Sequence, residues 1–332
     1  MEINEKEMQK AAEILRAGGL VAFPTETVYG LGGDAFNPLA LAKIFEIKKR
    51  PRFDPLIIHI ADLGALEAIA EVRELPASAQ KQAERLMHTL WPGPLTLILP
   101  KKPALPDLAT SGLPTVGVRL PAHPEARKLI RLSTGAIAAP SANPFGYLSP
   151  TTADHVRRQL GEAGGMILDG GPARIGLEST VLDLTSEIPR ILRPGGTPEE
   201  ILRDILGDIS SGNEKTPRAS PGMLKSHYAP GAPLKLHDPE EMLALPYNPE
   251  EGYLFFRQTD LDLWLKTQDR PAKARAQALS AAGDLPEAGA RLFGCLRELD
   301  SLGLSSLHAE RVPDQGLGKA INDRLSRGSA GS

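Results

Sequence analysis

The chain has 332 residues, 41% of them hydrophobic and 24% charged, and a net charge of -3. That is enough apolar material for a large buried core and, at this length, two domains, while the slight negative balance excludes a general nucleic-acid coat and leaves room for a local basic patch. A single cysteine, Cys295, excludes an internal disulfide and any Cys-x-x-Cys metal site, no window approaches a membrane span, and the polar, acidic start Met1 to Lys10 is unlike a signal peptide, so the expected compartment is the cytoplasm.

Asn4 and Glu7 read as a capping box for a helix to about Ala17, ended by Gly18-Gly19, and Leu20 to Phe23 reads as a short buried strand. Pro24 then forces a loop, Thr25-Glu26-Thr27-Val28-Tyr29, beside which Gly30, Gly32 and Gly33 are expected to let the backbone turn tightly. Asn37-Pro38 is a cap and first-turn pair for a helix through Ile47, with Leu41, Ile44, Phe45 and Ile47 at helical spacing. Its end carries Lys48, Lys49 and Arg50, which suit the negative end of a helix dipole and equally suit a polyanion site opposite the glycines. Further strands are predicted at 56–60, 95–99, 115–120, 136–139, 166–168 and 180–184, with helices near 76–89, 124–131, 152–160 and 198–206. This mixture predicts a twisted, partly parallel α/β sheet in a domain over 1–207. The Ser-, Gly- and Pro-rich segment 208–232 reads as a linker, although Ser220-Pro221-Gly222-Met223 and His227-Tyr228-Ala229-Pro230 give it the rigid turns and aromatic of a lid. From 233 to 332 a smaller doubly wound, Rossmann-like α/β domain is expected, with strands at 234–236, 253–256 and 306–312 and helices near 286–302 and after Gly316-Leu317-Gly318.

Familiar catalytic signatures are absent: the chain has no GxxxxGK[ST], GxSxG or HExxH, and no GxGxxG between a strand and a helix. Gly316-Leu317-Gly318-Lys319 is a weak glycine-loop echo that reads better as a helix entry. What remains is a set of hydroxyls and cations at strand ends. Thr115, Gly117 and Arg119 share one strand face, Ser141-Ala142-Asn143-Pro144 follows a strand, Ser149-Pro150-Thr151 precedes a helix, Glu178-Ser179-Thr180 opens a strand, and Arg193-Pro194-Gly195 closes one. Each alone is a common cap or turn; five at corresponding strand ends of one domain point to a ligand site.

Together with Pro24 to Leu31 and the Lys48-Lys49-Arg50-Pro51 run, those motifs resemble the YrdC-type threonylcarbamoyl-AMP synthase family. The Ser-Pro-Gly-Met and His-Tyr-Ala-Pro linker and the ending Gly316 to Leu325 resemble its long, two-domain form, so the likeness spans nearly the whole chain. The resemblance implies an enzyme that joins L-threonine, bicarbonate and ATP, with Mg2+, into threonylcarbamoyl-adenylate and pyrophosphate. A tRNA threonylcarbamoyl-transferase complex then uses that product, and direct contact of tRNA with this chain stays open. It assigns Thr27, His59, Arg119 and Ser179 to threonine, with a main-chain contact at Ala139; Arg50, Asp54, Thr115, Ser141, Ser149 and Arg193 to ATP; and Tyr228 to closing over the nucleotide. Lys48, Arg50 and Arg193 are the groups expected to meet phosphate charge, and Glu26 is left a supporting role. No protein ligand to a metal is assigned. Two departures stand out: Asp54 replaces the family's usual Asn, so that either magnesium or a nearby arginine such as Arg52 compensates it and it either binds metal or turns away, and Met223 to Tyr228 lacks the usual Lys-aromatic-basic run.

Two competing classes remain on sequence grounds. One is a non-catalytic double-stranded RNA or tRNA-binding module using the same basic residues, which would have no reason to consume ATP with threonine. The other is a carbamoyl-adenylate enzyme of hydrogenase maturation, whose acylphosphatase-like and zinc-finger modules this chain lacks.

Overall fold

The computed structural model describes residues 3–211, 227–268 and 275–331. Asn4 caps the first helix, Glu5–Arg16, by accepting from the Lys6 N–H, and Met8, Ala11, Ala12 and Leu15 form its buried stripe. Asn37 caps Pro38–Lys48 by accepting from the N–H groups of Leu39 and Ala40. The helices Ala77–Leu90, Pro124–Leu132, Ala153–Leu160 and Glu199–Leu206 fall where the apolar spacing places them.

Among the described residues, ten strands make the first sheet. They are β1 Val21–Phe23, β2 Gly30–Asp34, β3 Ile57–Ile60, β4 Leu95–Pro100, β5 Thr115–Arg119, β6 Ala136–Ala138, β7 Met166–Ile167, β8 Thr180–Asp183, β9 Arg190–Arg193 and β10 Ser210–Ser211. Their order is β10-β9-β8-β4-β5-β3-β6-β2-β1-β7, with parallel and antiparallel neighbours mixed. One face packs on the first helix and on Pro124–Leu132 through Met8, Leu15, Leu129, Ile130 and Ile137. A larger apolar cluster, including Ile44, Phe45, Leu86, Ile58, Leu97 and Leu202, fills another part of this unit.

The glycine segment corrects one expectation. Gly30, Gly32 and Gly33 are strand residues of β2, not a tight turn, and none has positive φ. What excludes a side chain is close approach: a Cβ on Gly32 would stand 2.8 Å from both Ile137 Cγ2 and Phe23 Cε1, and one on Gly33 would stand 2.8 Å from Leu20 Cδ2. The left-handed residue of this region is Lys49, at φ 50, where the Pro38–Lys48 helix ends.

The chain divides into two compact units. The first holds Met1–Phe145, Pro150–Arg174 and the described residues from Glu178 to Ser211; the second holds Gly146–Ser149, Ile175–Leu177 and the C-terminal part. The second is built on an all-parallel sheet of β11 Leu234–His237, β12 Glu251–Arg257, β13 Ala276–Ser280 and β14 Ser306–Glu310, in the order β11-β14-β12-β13. Helices Pro239–Ala244, Gln258–Thr267, Leu285–Asp300 and Gly318–Ser329 alternate with these strands, which is the expected doubly wound pattern. Met242, Tyr253, Phe255 and Trp264 form part of its core. Within this unit Ala229 N donates to Gly146 O at 2.9 Å, and Gly289 lies against Leu177. Among the described residues no helix is long and apolar enough to cross a membrane.

Candidate active site

Strand register assembles the site. In the first sheet His59 on β3 pairs with Arg119 on β5, Arg119 with Thr96 on β4, Thr96 with Val181 on β8, and Val181 with Arg193 on β9. Directly paired residues project from the same sheet face. One level of the sheet therefore carries, in order, His59, Arg119 and Thr96 side by side and, beyond Val181, Arg193.

The loop after β1 closes over this row. Thr25 Oγ1 donates to Val28 O at 2.6 Å and accepts from the N–H groups of Thr27 and Val28, so the turn is held by its own hydroxyl. Tyr29 N donates to Pro150 O, Ala142 N to Tyr29 O and Leu31 N to Pro140 O, which fastens the loop to the 140–150 segment. The Tyr29 hydroxyl donates to Gly171 O at 2.7 Å, and burial pushes its pKa up to about 12. Thr27 and Glu26 are thereby presented to Arg119, whose Nη1 donates to Thr27 Oγ1 at 2.8 Å and whose Nη2 donates to Glu26 Oε1 at 2.6 Å. Arg119 Nε reaches Gly93 O at 3.3 Å, and the residue is only 4% exposed. Burial pushes the Glu26 carboxyl up, but the Arg119 charge and hydrogen bond, helped by main-chain N–H groups of Glu26 and Ala122, hold it below the usual carboxylate range.

His59 is equally buried. Its Nδ1 lies 3.2 Å from Ile57 O, a contact that makes Nδ1 the protonated nitrogen and leaves Nε2 an acceptor. Burial, reinforced by the Arg119 charge, lowers its pKa to about 3, so it is neutral at physiological pH. Ala139 N is used inside the sheet, donating to Ile57 O at 3.0 Å.

On the other side of Arg119, Thr96 Oγ1 and Ser179 Oγ are 2.7 Å apart, and Arg193 Nη2 donates to Ser179 O at 2.9 Å and to Ser179 Oγ at 3.2 Å. The turn after Arg193 lies hard against this segment: a Cβ on Gly195 would stand 2.4 Å from Glu178 O and Thr180 N. Thr27, His59, Arg119, Ser179 and Arg193 are thus brought to one place, and Ser141 joins β2 through an antiparallel bridge with Gly30.

The remaining predicted residues are placed differently. Thr115 stands at the opposite end of β5 from Arg119, ~13 Å away at strand rise. Arg50 is buried; its Nε donates to Asp54 O at 3.0 Å, its Nη2 to Pro55 O at 2.9 Å, and it pairs with the Asp54 carboxylate at 2.8 Å. Of the two compensations open to Asp54, magnesium or a nearby arginine such as Arg52, the structure shows an arginine, and it is Arg50. Lys48, expected to meet phosphate, is 1% exposed and donates to Ser141 O at 2.6 Å and to Asn143 O, so it ties the helix end to the 141–143 loop. Burial pushes its ammonium well below the usual lysine range, with Arg50 adding to that and Asp54 and Glu178 opposing it.

Ser149 and Tyr228 belong to the second unit. Tyr228, expected over a nucleotide, is 2% exposed at φ 62, stacked on Phe293 with ring centroids 5.8 Å apart and with Arg324 over its ring at 4.8 Å. His227 N donates to Arg327 O at 3.2 Å. The Ser220 to Met223 motif and the rest of the linker before His227 lie outside the described residues.

Sequence reasoning missed Thr96 and undervalued Glu26. Thr96 is the one polar residue in the strand run Leu95-Thr96-Leu97-Ile98-Leu99, and a fully buried hydroxyl in an apolar strand is the signal that finds it. Among the described residues no group of three or more His, Cys, Asp or Glu side chains is arranged to hold a metal ion.

A family model described as "Telomere recombination" matches residues 13–195, and one described as "Threonylcarbamoyl-AMP synthase, C-terminal domain" matches residues 194–330. The chain is 43% identical to the threonylcarbamoyl-AMP synthase of Bacillus subtilis, over 99% of this chain and 94% of that protein. It is 42% identical to the protein of the same name from Pyrococcus abyssi, over 98% and 95%. The crystal structure of P. abyssi Sua5 complexed with L-threonine superposes with a TM-score of 0.88 at 40% identity, covering 100% of this chain and 96% of that one.

Proposed function

The chain belongs to the threonylcarbamoyl-AMP synthase family, and from that premise we propose that it condenses L-threonine, bicarbonate and ATP into threonylcarbamoyl-adenylate and pyrophosphate. The observation that carries this reading is the registered row His59, Arg119, Thr96 and Arg193, with Thr27 and Ser179 bonded into it. Threonine offers a carboxylate, a hydroxyl and an amine. The planar Arg119 fork suits the carboxylate. Ser179 and Thr27 are hydroxyls that donate or accept, and the neutral His59 can accept a hydrogen bond from the amine or hydroxyl through Nε2. Ala139 adds a main-chain contact.

In the first step the threonine nitrogen bonds to the carbon of bicarbonate and water leaves, giving a carbamate. A carbamate oxygen then attacks the α-phosphorus of ATP as the bond to pyrophosphate breaks. Nothing in this sequence needs a protein nucleophile; it needs alignment, charge compensation and exclusion of water from the unstable carbamate. Arg193 and Arg50 are the cations proposed for the phosphates, with Ser141, Thr115 and Asp54 as further nucleotide contacts of the first unit. Lys48 supports them by holding the loop that carries Ser141. Mg2+ enters with ATP as part of the substrate. The proposed setting is the cytoplasm, where a separate transferase complex moves the threonylcarbamoyl group to tRNA.

The burial of these cations argues against the RNA-binding alternative. Lys48, Arg50, Arg119 and Arg193 are all at most 7% exposed. A phosphate backbone is gripped by cations at the surface, whereas buried cations suit a small enclosed anion.

The test is incubation of the purified chain with ATP, Mg2+, bicarbonate and labelled threonine. Threonine-dependent pyrophosphate release and an adenylated threonine adduct are expected, and Arg193→Ala is expected to lower the rate roughly 10²-fold, as loss of a preorganised charge does. Absence of the adduct would overturn the proposal; near-normal turnover in the variant would overturn the role of Arg193.

A further inference from the structure

The hydrogens around the two site hydroxyls, Ser179 and Thr27, can be counted, because a hydroxyl carries one hydrogen and two lone pairs. Thr96 Oγ1 and Ser179 Oγ lie 2.7 Å apart, and among the described residues each is the other's only acceptor. Two hydrogens therefore compete for one bond. The second is left over where Thr96 is 0% and Ser179 1% exposed, and a buried O–H without an acceptor is costly. This pair needs an acceptor from outside the protein.

Position decides which hydroxyl keeps the spare hydrogen. Thr96 stands inside β4, between β8 and β5, and its Cγ2 lies 3.3 Å from where a Cβ on Gly117 would stand, so its methyl packs over that glycine and holds the branched side chain in one rotamer. Ser179 stands just before β8, where Arg193 Nη2 donates to its Oγ at 3.2 Å. Donation from Thr96 fills the second lone pair of Ser179 and leaves the Ser179 O–H for a ligand, whereas the reverse order strands the Thr96 hydrogen inside the sheet.

Thr27 has the opposite balance. Thr25 Oγ1 is 2.6 Å from Val28 O, and a carbonyl cannot donate, so that contact uses the Thr25 hydrogen. In the 2.8 Å contact between the Thr25 and Thr27 hydroxyls, Thr27 is therefore the donor. Arg119 Nη1 donates to Thr27 Oγ1 at 2.8 Å, which leaves Thr27 one lone pair and no hydrogen to give.

We propose that Thr96 and Thr25 are positioning residues that give the two site hydroxyls fixed and opposite polarities: Ser179 donates to an anionic oxygen of the substrate, and Thr27 accepts from a substrate N–H or O–H. On the synthase reading, which this assignment requires, the amino acid's carboxylate meets the Ser179 O–H, and Thr27 joins His59 Nε2 as an acceptor for its amine or hydroxyl.

Neutron diffraction from a crystal of the full chain grown in D2O with L-threonine locates these hydrogens. The Thr96 deuterium is expected on the line to Ser179 Oγ, the Ser179 deuterium toward a carboxylate oxygen, and the Thr27 deuterium toward Thr25 Oγ1. Steady-state pyrophosphate release tests the positioning role. Arg193 is held by Ser179 O through Nε at 3.2 Å and Nη2 at 2.9 Å, without help from Thr96. Thr96→Val is therefore expected to raise the KM for threonine about fivefold, the usual worth of one neutral hydrogen bond, and to leave the KM for ATP unchanged. Thr96→Ser keeps the hydroxyl and is expected to stay within about twofold of the parent. A Ser179 deuterium on Thr96, a Thr27 deuterium on the ligand, or equal changes in the two KM values, no change included, would each overturn the proposal. A parent chain that neither holds threonine in the crystal nor releases pyrophosphate with it overturns the synthase reading and this assignment with it.

Discussion

At Arg119, three groups share one guanidinium: Thr27 Oγ1 at 2.8 Å, Glu26 Oε1 at 2.6 Å and Gly93 O at 3.3 Å. A guanidinium this deep needs an opposite charge, because burying it alone costs far more than any neutral hydrogen bond returns. Glu26 supplies that charge from a loop whose shape depends on Thr25. Glu26→Ala is therefore expected to destabilise the first unit by about 3 kcal/mol, and Glu26→Gln by less, since an amide oxygen still accepts from Arg119. Urea unfolding of the two variants checks this, and equal small losses would show that the pair does not hold the loop. From sequence, Glu26 is indistinguishable from a solvated loop acid. Its partner lies 93 residues away and is identified only by the sheet register. Arg119 itself was legible as a strand-end cation, and His59 only through its motif, since a lone histidine ending a strand carries no signal of its own.

At the scale of elements, helices were legible because caps and apolar spacing are local: Asn4, Asn37-Pro38 and Gly207 mark boundaries without tertiary help. Short strands were legible where a hydrophobic run stands between turn residues, as at 95–99. β2 was hidden because its sequence, Gly30-Leu31-Gly32-Gly33-Asp34, has the composition of a loop. Its strand identity comes from neighbours on both sides, β1 and β6, and the glycines are demanded by Phe23, Ile137 and Leu20 pressing onto them. β13 and the helix Gln258–Thr267 were also missed. Close packing at β2 has a measurable consequence. Gly32→Ala places a methyl 2.8 Å from two side-chain carbons, whereas Gly117→Ala meets Ile98 and Thr96 at 3.3 Å. The first is expected to cost about 1–3 kcal/mol in urea unfolding and the second clearly less, because overpacking grows steeply as contacts shorten. The opposite ranking would mean that β1 and β6 yield more readily than the centre of the sheet.

Over the whole molecule, buried titratable groups pull the two units in opposite directions with pH. In the first unit the His59 pKa falls to about 3 from an ordinary 6.5, so the unfolded chain takes up a proton that the folded one refuses, and stability is lost as pH falls below 6.5. Glu26, held below its ordinary value, adds to that loss in stronger acid. In the second unit burial raises Glu310, which accepts from Phe256 N at 2.9 Å, to about 7 from 4.5. Its folded state keeps a proton that the unfolded chain has released, so its contribution is fully present below 4.5 and is lost as pH rises through 7. Each unit also holds one of the two tryptophans, with Trp91 Nε1 donating to Leu95 O and Trp264 Nε1 to Leu245 O, so fluorescence can follow the units separately once the other indole is replaced by Phe. The expected result is a pair of crossed difference curves. Glu310→Gln should gain stability over the parent, read by Trp264, as pH rises from 5 to 8, because the amide keeps the Phe256 hydrogen bond and has no charge to bury. His59→Gln should gain over the parent, read by Trp91, as pH falls from 7 to 5. If both differences run in the same direction with pH, then solvent reaches one of these side chains in the folded state, and the enclosed geometry assigned to it is wrong.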